Sequence, residues 1–329
     1  MLKSIFNNKR LLITGGTGSF GQKFVANTLK EFSPKEIIVY SRDEMKQWFM
    51  FEKYKKQKNL KFVIGDVRDR DRINECSKDV DILIHAAATK IIPTAEKNPE
   101  ECIKTNIYGA QNVIHAAKQN KIPKIIALST DKASNPINLY GATKLASDKL
   151  FIAANFTTNN KSKFSIVRYG NVIGSRGSII PFFLKIKEKG IFPITDKNMT
   201  RFFITLDEAV SLVWISAQEM IGGEIFVKKI PSLKIIDIAK AINKNAKFKI
   251  IGVRPGEKIH EQMIGIDDSN FTYKYKNYFK IIPQIAEKKS QYIKRGIKVK
   301  KDFIYSSELN NEWLNIYKIK ELIKKNFAI

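Results

Sequence analysis

The feature that most constrains this chain is a run of glycines at intervals of three, Gly15-Gly16-Thr17-Gly18-Ser19-Phe20-Gly21, placed directly after an apolar segment at 11–14 and before a helical pattern at 22–31. Gly15 permits a tight turn, Gly18 brings the backbone close to a ligand, and Gly21 lets the following helix pack on the preceding strand. A helix that starts there aims its free N–H groups and positive dipole end into the turn, an arrangement that selects pyrophosphate. Such a turn operates inside a strand–turn–helix unit, and it commits the N-terminal region to a parallel sheet.

The first two-thirds of the chain keeps that rhythm. Strand-like segments fall at 11–14, 36–40, 61–64, 81–85, 124–129 and 164–169, with helical patterns at 22–31, 44–54, 99–118 and 140–155 between them. The strands carry little polar alternation, as expected when helices cover both faces of a sheet. The expected fold class is therefore α/β, a Rossmann-type doubly wound parallel sheet. Beyond Tyr169 the pattern breaks into loops around Gly174, Gly177, Pro181 and Pro193. Short strands follow near 224–227 and 247–251, and a last helical pattern lies at 313–325. The domain reading is a nucleotide-binding domain over 1–170 with a return near 203–222, and a smaller α/β substrate lobe over 171–202 and 223–329.

Composition excludes several classes. At 43% hydrophobic and 27% charged, with ten prolines in 329 residues, the chain is neither disordered nor fibrous. No apolar run approaches the roughly 20 residues of a membrane span. The basic first ten residues lack the apolar stretch of a secretory leader. Cys76 and Cys102 cannot build a disulfide framework, and the three histidines share no ligand spacing with them, so a metal-free cytoplasmic protein is expected. The net charge of +26 raises nucleic acid as a partner. Yet only ten of the 58 basic residues are Arg, and the lysines are dispersed rather than gathered around aromatic stacking platforms. Solvated lysine-rich faces are the better reading, with no nucleic acid. Where Lys is the default cation, each Arg marks a place that calls for a planar bidentate donor.

The second strand ends in Tyr40-Ser41-Arg42-Asp43. A carboxylate at that point serves the ribose hydroxyl of NAD, whereas Ser and Arg serve the 2′-phosphate of NADP. Ser41 and Arg42 favour NADP, and Asp43, one place later, leaves NAD as the alternative. Asp66-Val67, after the third strand, is placed for an adenine ring. Tyr140 and Lys144 lie one helical turn apart, so the ammonium can lower the phenol's pKa and let the phenolate take a proton from a sugar hydroxyl. With eleven Tyr and abundant Lys, chance alone supplies such a pair, and Tyr54 with Lys58 is a second. Position separates them: Tyr140 follows the strand ending in Ser129-Thr130, whose carboxyl end lines the expected crevice. Asp131-Lys132 comes next. It either solvates a loop or supplies an acid and an amine for elimination beside an oxidised sugar carbon. A lysine acting as base must be neutral, and crowding by Lys90 and Lys144 is the expected cause. His85 reads as a packed strand residue, His115 as a helix-face residue, and His260 stays open.

These residues carry a resemblance. The chain is similar to the extended short-chain dehydrogenase/reductase superfamily and, within it, to the inverting UDP-N-acetylglucosamine 4,6-dehydratases of the pseudaminic acid pathway. The resemblance rests on the glycine turn and on Tyr-Ser-Arg-Asp-Glu at 40–44, Gly-Asp-Val-Arg-Asp at 65–69, His-Ala-Ala-Ala at 85–88 and Thr-Asn at 105–106. It continues through Leu-Ser-Thr-Asp-Lys-Ala at 128–133, Asn-Leu-Tyr-Gly-Ala-Thr-Lys at 138–144, Arg-Tyr-Gly-Asn-Val at 168–172, Gly-Ser-Arg-Gly-Ser at 174–178, Met-Thr-Arg-Phe at 199–202 and Arg-Pro-Gly-Glu-Lys at 254–258. Retaining relatives carry Asp-Glu where this chain has Asp131-Lys132. The chain departs from the pattern at Thr89 and Ile91, which flank Lys90.

The resemblance implies that Thr130 orients the sugar 4-hydroxyl, Tyr140 deprotonates it, and Lys144 holds the nicotinamide ribose. It makes Asp131 the acid for water loss at C6 and Lys132 the base at C5. It gives Thr17, Ser19, Phe20, Ala86, Ala87, Lys90 and Asn106 to the cofactor, beside Gly15, Gly18, Gly21, Ser41, Arg42, Asp66 and Val67. It gives Lys90, Asn171, Arg176, Thr195, Arg201, Arg254 and Glu257 to UDP-N-acetylglucosamine. The product would be UDP-2-acetamido-2,6-dideoxy-β-L-arabino-hexos-4-ulose, and the enzyme a homo-oligomer, dimer or hexamer. A UDP-sugar 4-epimerase or reductase would keep Tyr140 and Lys144 without needing Asp131-Lys132. A non-catalytic NADP- or nucleic-acid-binding protein rests on charge alone.

Overall fold

The computed structural model describes residues 4–157, 161–175 and 177–327. Among them ten strands join into one sheet. Leu60–Ile64, Glu36–Ser41, Arg10–Thr14, Ile82–His85, Lys124–Thr130, Lys163–Tyr169 and Ile225–Lys228 lie side by side and parallel. From Arg10–Thr14 the chain passes first to Glu36–Ser41 on one side and only later sets Ile82–His85 on the other. Strand order reverses there, so the carboxyl ends at Thr14 and His85 part to leave a crevice. The central strands are buried throughout, from Leu11 to Ile13, Ile37 to Tyr40 and Ile125 to Ala127, which explains their unbroken apolar character. All six strands expected in this region form within one residue of their expected bounds.

Two expectations need correction. The helical pattern at 99–118 is not one helix: Pro99–Ile103 and Gly109–Gln119 are separated by a π-helical turn at Lys104–Tyr108. That turn carries Asn106, whose amide bonds away from the helix to the 88–90 loop, and such turns are where helices accommodate a local demand of this kind. The strands after residue 223 do not all belong to a separate lobe. Ile225–Lys228 pairs in parallel with Lys163–Tyr169, and Tyr278–Ile281, Thr272–Lys274 and Ile297–Lys298 continue the same sheet antiparallel. Ile225, Phe226 and Val227 are all buried, so this strand lies inside the sheet and needs a neighbour on each side.

A second core forms around Phe183, Phe192, Phe203, Leu233, Ile238 and Ile319. It is built on Ile191–Ile194 paired with Lys247–Ile250 and on helices Ile235–Ile242 and Ile316–Asn326. Helix Leu206–Glu219 begins in a capping box between Thr205 and Glu208. It covers the main sheet beside helix Ser19–Glu31, where the Trp214 indole donates to Thr28 Oγ1 at 3.3 Å. Among the described residues no helix is long and apolar enough to cross a membrane.

Candidate active site

The crevice opens into a cleft of about 520 Å³ lined by the glycine turn, the carboxyl ends of the neighbouring parallel strands and the start of the helix Leu139–Ala153. Gly15 has φ +66°, and a Cβ there would lie 2.8 Å from the backbone nitrogen of Ala87. At Gly21 a Cβ would meet the backbone oxygen of Gly16 at 2.4 Å. Only hydrogen fits at either position, so the helix Ser19–Glu31 starts hard against the strand, with Gly18 as its N-cap. Nothing but Gly15 O, at 3.1 Å, would touch a Cβ on Gly18, which leaves that face of the turn open.

Residues expected at the cofactor largely meet here. Thr17, Ser19, Phe20, Ser41, Arg42, Asp66, Val67, Ala86, Ala87 and Lys90 line the cleft with the three glycines. The Thr17 hydroxyl donates to Ser41 Oγ at 3.1 Å, and Gln47 holds Ser41 from the other side. Arg42 remains more than half exposed and sits 3.5 Å from Asp66. Burial pushes the Asp66 carboxyl up, but the Arg68 guanidinium overrides it and holds the group below its usual range. Asp43 is otherwise engaged: it caps helix Glu44–Tyr54 by accepting from Lys46 N and pairs with the Lys46 ammonium. Lys46 itself lines the cleft, a cation that sequence reading missed. Asn106 is placed elsewhere. Its amide accepts from Thr89 N at 2.9 Å and donates to Thr89 O at 2.9 Å and Thr143 Oγ1 at 3.0 Å, clamping the loop that bears Lys90 rather than facing the cleft.

At the far end Thr130, Asp131, Lys132, Tyr140, Lys144 and Asn171 line the same cleft. The helix that carries Tyr140 and Lys144 is capped by Asn138, and the strand before Asp131 ends in Thr130, which caps the short turn Asp131–Ala133. Thr130 Oγ1 donates to Asp131 Oδ1 at 2.9 Å. Lys132 Nζ donates to the same oxygen at 3.0 Å and pairs with Glu261 Oε1 at 3.1 Å. Burial pushes the Lys132 ammonium down, but the two carboxylates outweigh it and hold the group above its usual range. The expected crowding by Lys90 and Lys144 is therefore not what sets its charge. The reason is local: Lys132 leans toward Asp131 and Glu261, while the charged neighbour of Lys144 is Asp148. Burial alone pushes Lys144 down. Tyr140 is pushed up to about 12 by burial, and the groups that oppose this are Lys132 and the Thr130 hydroxyl.

Three buried polar atoms lining the cleft, Asp131 Oδ2, Asn171 Oδ1 and Ser178 Oγ, have no protein partner among the described residues. Unpartnered buried polar atoms call for a ligand's donors and acceptors or for water. Together with the open glycine turn they fit a dinucleotide and a second, polar ligand next to it.

The remaining substrate residues form a separate cluster. Arg254 bonds Glu257 through both ends of its guanidinium at 3.0 and 2.8 Å, and Thr195 donates to the same carboxylate at 3.2 Å. Arg201, buried, is not open to a diphosphate as its scarcity suggested. Its guanidinium donates to the carbonyls of Thr200, Ile259 and Lys258 and lies 3.7 Å from Glu261. Arg176 lies outside the described residues. His85 is buried against Thr14, and burial with the Lys144 charge lowers its pKa to about 3. His115 meets Arg70 on an exposed helix face, and His260 bonds the Thr200 hydroxyl. Glu261 was missed altogether. Its only signal was a carboxylate four places after Glu257 in a chain where acids are the scarcer charge.

Fold and site together are those of a Rossmann-type enzyme, with a phenol, a carboxyl and a lysine beside its glycine turn. The sequence pattern of the polysaccharide biosynthesis protein family matches residues 11–283, and the chain belongs to that family. Two Campylobacter jejuni proteins named UDP-N-acetylglucosamine 4,6-dehydratase (inverting) are 51% and 52% identical to it, over 97% of this chain and 98% of theirs. A UDP-glucose 4-epimerase of Rickettsia bellii is 41% identical over 97% of this chain and 96% of its own. Among solved structures, Pen from Bacillus thuringiensis superposes with a TM-score of 0.90 at 34% identity, over 98% of this chain and 99% of that one. DesIV, a dTDP-glucose 4,6-dehydratase from Streptomyces venezuelae, shares the fold, with a TM-score of 0.68 at 22% identity over 76% and 86% of the two chains.

Proposed function

We propose that this protein is an inverting UDP-N-acetylglucosamine 4,6-dehydratase that also epimerises C5. The observation that carries the reading is the hydrogen-bonded Asp131-Lys132 pair, in one cleft with Tyr140 and the glycine turn. Kinship of 51–52% over nearly the whole chain with enzymes of that name supports it. An epimerase needs only the redox step at C4, whereas a dehydratase needs an acid and a base beyond it.

A nicotinamide cofactor, held by the glycine turn, Ser41, Arg42, Asp66, Val67 and Lys144, would supply a cationic ring and the hydride chemistry at C4 and C6. Tyr140, held as the neutral phenol in the empty cleft, would lose its proton to solvent when the cationic ring binds beside it, and the phenolate then accepts the proton of the 4-hydroxyl, which Thr130 orients. The ketone at C4 acidifies C5–H, and the Lys132 amine removes that proton. Asp131 protonates the C6 hydroxyl, which leaves as water, and C5 takes a proton from solvent on the opposite face, leaving Lys132 and Asp131 as the ion pair they began as. Lys132 starts as an ammonium, but a proton passed along its 3.0 Å contact to Asp131 turns the ion pair into a neutral amine and a carboxylic acid, the two forms elimination requires. Lys144 holds the cofactor ribose.

Cofactor choice is read as NADP. Ser41, Arg42, Asp43 and Lys46 line the adenosine end, where two cations and a hydroxyl favour a 2′-phosphate and the Asp43 carboxylate is already engaged as a helix cap and with Lys46. Asn171, Arg254 and Glu257 are assigned to the UDP moiety, with Arg201 holding the loop that presents the last two. The product fits pseudaminic acid synthesis, in a cytoplasmic homo-oligomer.

The test is incubation with UDP-N-acetylglucosamine in heavy water, followed by NMR. Expected is a 4-keto-6-deoxy sugar carrying deuterium at C5 with inverted configuration. A 4-epimer with intact C6 oxygen, or no turnover, refutes the reading.

A further inference from the structure

We propose that Glu261 is a positioning residue for the dehydration step, holding the Lys132 amine between itself and Asp131 and setting which proton state of that pair meets the sugar. The inference rests on the dehydratase reading and deepens it.

Geometry comes first. Lys132 Nζ lies 3.0 Å from Asp131 Oδ1 and 3.1 Å from Glu261 Oε1, and both carboxylates are buried, at 1% and 2% exposure. Lys132 itself keeps 18% of its side chain exposed, toward the cleft. Glu261 is fixed from two directions. Its N–H donates to Ser307 Oγ at 2.9 Å, and its carbonyl accepts from Ser307 N at 2.8 Å. Its Oε1 also lies 3.7 Å from Arg201 Nε. Since Arg201 bonds the carbonyls of Lys258 and Ile259, the carboxylate joins the 254–259 loop to the catalytic turn. Its second oxygen is buried without a partner among the described residues.

Chemistry follows from charge. The pair must pass one proton from Nζ to Asp131 Oδ1, a step that changes no oxidation state and leaves the proton count of the pair unchanged. A negative charge at Glu261 stabilises the ammonium and opposes that transfer, keeping the amine protonated in the empty cleft. Its contact also keeps Nζ near C5 once the transfer has occurred. The charged and titratable groups facing this site are Asp131 on its own turn, Tyr140 on the adjoining helix, Arg201 on Thr200–Ile204, and Lys258 and Glu261 on the loop. Of these, Glu261 can lose its charge by an isosteric change without removing the acid or the base.

Glu261→Gln in the full-length protein is the test, with C5 deuterium incorporation measured against pH. The activity profile should move as a whole to lower pH, by about 1–3 units, because the amine gives up its proton more readily. KM for UDP-N-acetylglucosamine should stay within about twofold of wild type. Independently of turnover, acylation of Lys132 by acetic anhydride, followed by peptide mass spectrometry, should begin at lower pH in the variant. Glu261→Asp draws the charge back by one methylene and should shift the profile the same way by a smaller step. An unmoved profile and acylation curve in either folded variant overturn the proposal. Absence of C5 exchange in the wild-type protein would instead sink the dehydratase reading itself.

Discussion

Replacing Arg42 by Ala tests the cofactor assignment most sharply, because its guanidinium and the competing Asp43 carboxylate line the same end of the cleft. Arg42 is more than half exposed and shares its charge with Asp66 at 3.5 Å. A hydrogen bond to a charged group contributes about 1.5–3 kcal/mol. Solvent screening and the competing Asp66 reduce this to about 1–2 kcal/mol. That corresponds to roughly 5- to 30-fold weaker binding of NADPH. NADH, which has no 2′-phosphate, should bind within about twofold of its original affinity. Quenching of protein fluorescence on titration with each reduced cofactor gives both constants. The paired variant Asp43→Ala removes the cap of Glu44–Tyr54, at a cost of about 1 kcal/mol in stability, and should leave the NADPH to NADH ratio in place. Equal weakening of both cofactors by Arg42→Ala would show that the guanidinium contacts a part common to the two. Selective loss of NADH affinity in Asp43→Ala would restore the carboxylate to the ribose. Either result refutes the reasoning.

Other consequences concern chemistry and stability. Lys132→Ala should lower C5 deuterium exchange by about 10²–10⁴-fold while leaving some oxidation at C4, whereas Tyr140→Phe should abolish both, as read by NMR and by cofactor absorbance. Gly21→Ala forces a Cβ to within 2.4 Å of a backbone oxygen and should destabilise the fold by at least about 1–3 kcal/mol in urea melts. His85, buried and neutral down to about pH 3, is reluctant to take a proton that the unfolded chain accepts near pH 6.5. Its contribution is present in full above pH 6.5 and is lost as pH falls towards 3, at up to about 1.4 kcal/mol per pH unit. A variant such as His85→Gln should flatten that part of the stability profile, and an unchanged slope would exclude the assignment.

What could be read from the chain and what could not divide along a physical line. The strands at 11–14 and 124–129 and the turn between Gly15 and Gly21 were legible because their signals are local: apolar runs, and glycines at positions that tolerate no side chain. Asp131 and Lys132 were legible as a pair, because adjacency in sequence fixes adjacency in space. The charge on Lys132 was legible only in half, since it is held by the neighbouring Asp131 and also by Glu261, 129 positions later, through a contact made by the second half of the fold. The scarcity argument for arginine failed at Arg201 for the same reason. A buried guanidinium was indeed required, but by the carbonyls of the 258–259 loop rather than by a ligand. Composition tells where a bidentate donor is needed, and only packing tells what accepts from it. In the proposed reaction Lys132 therefore draws its acid partner from the next residue in sequence, and its charge from that neighbour and a distant carboxylate together. On the proposal made for Glu261, such chemistry would be retuned there while the acid, the base and the phenol stay as they are.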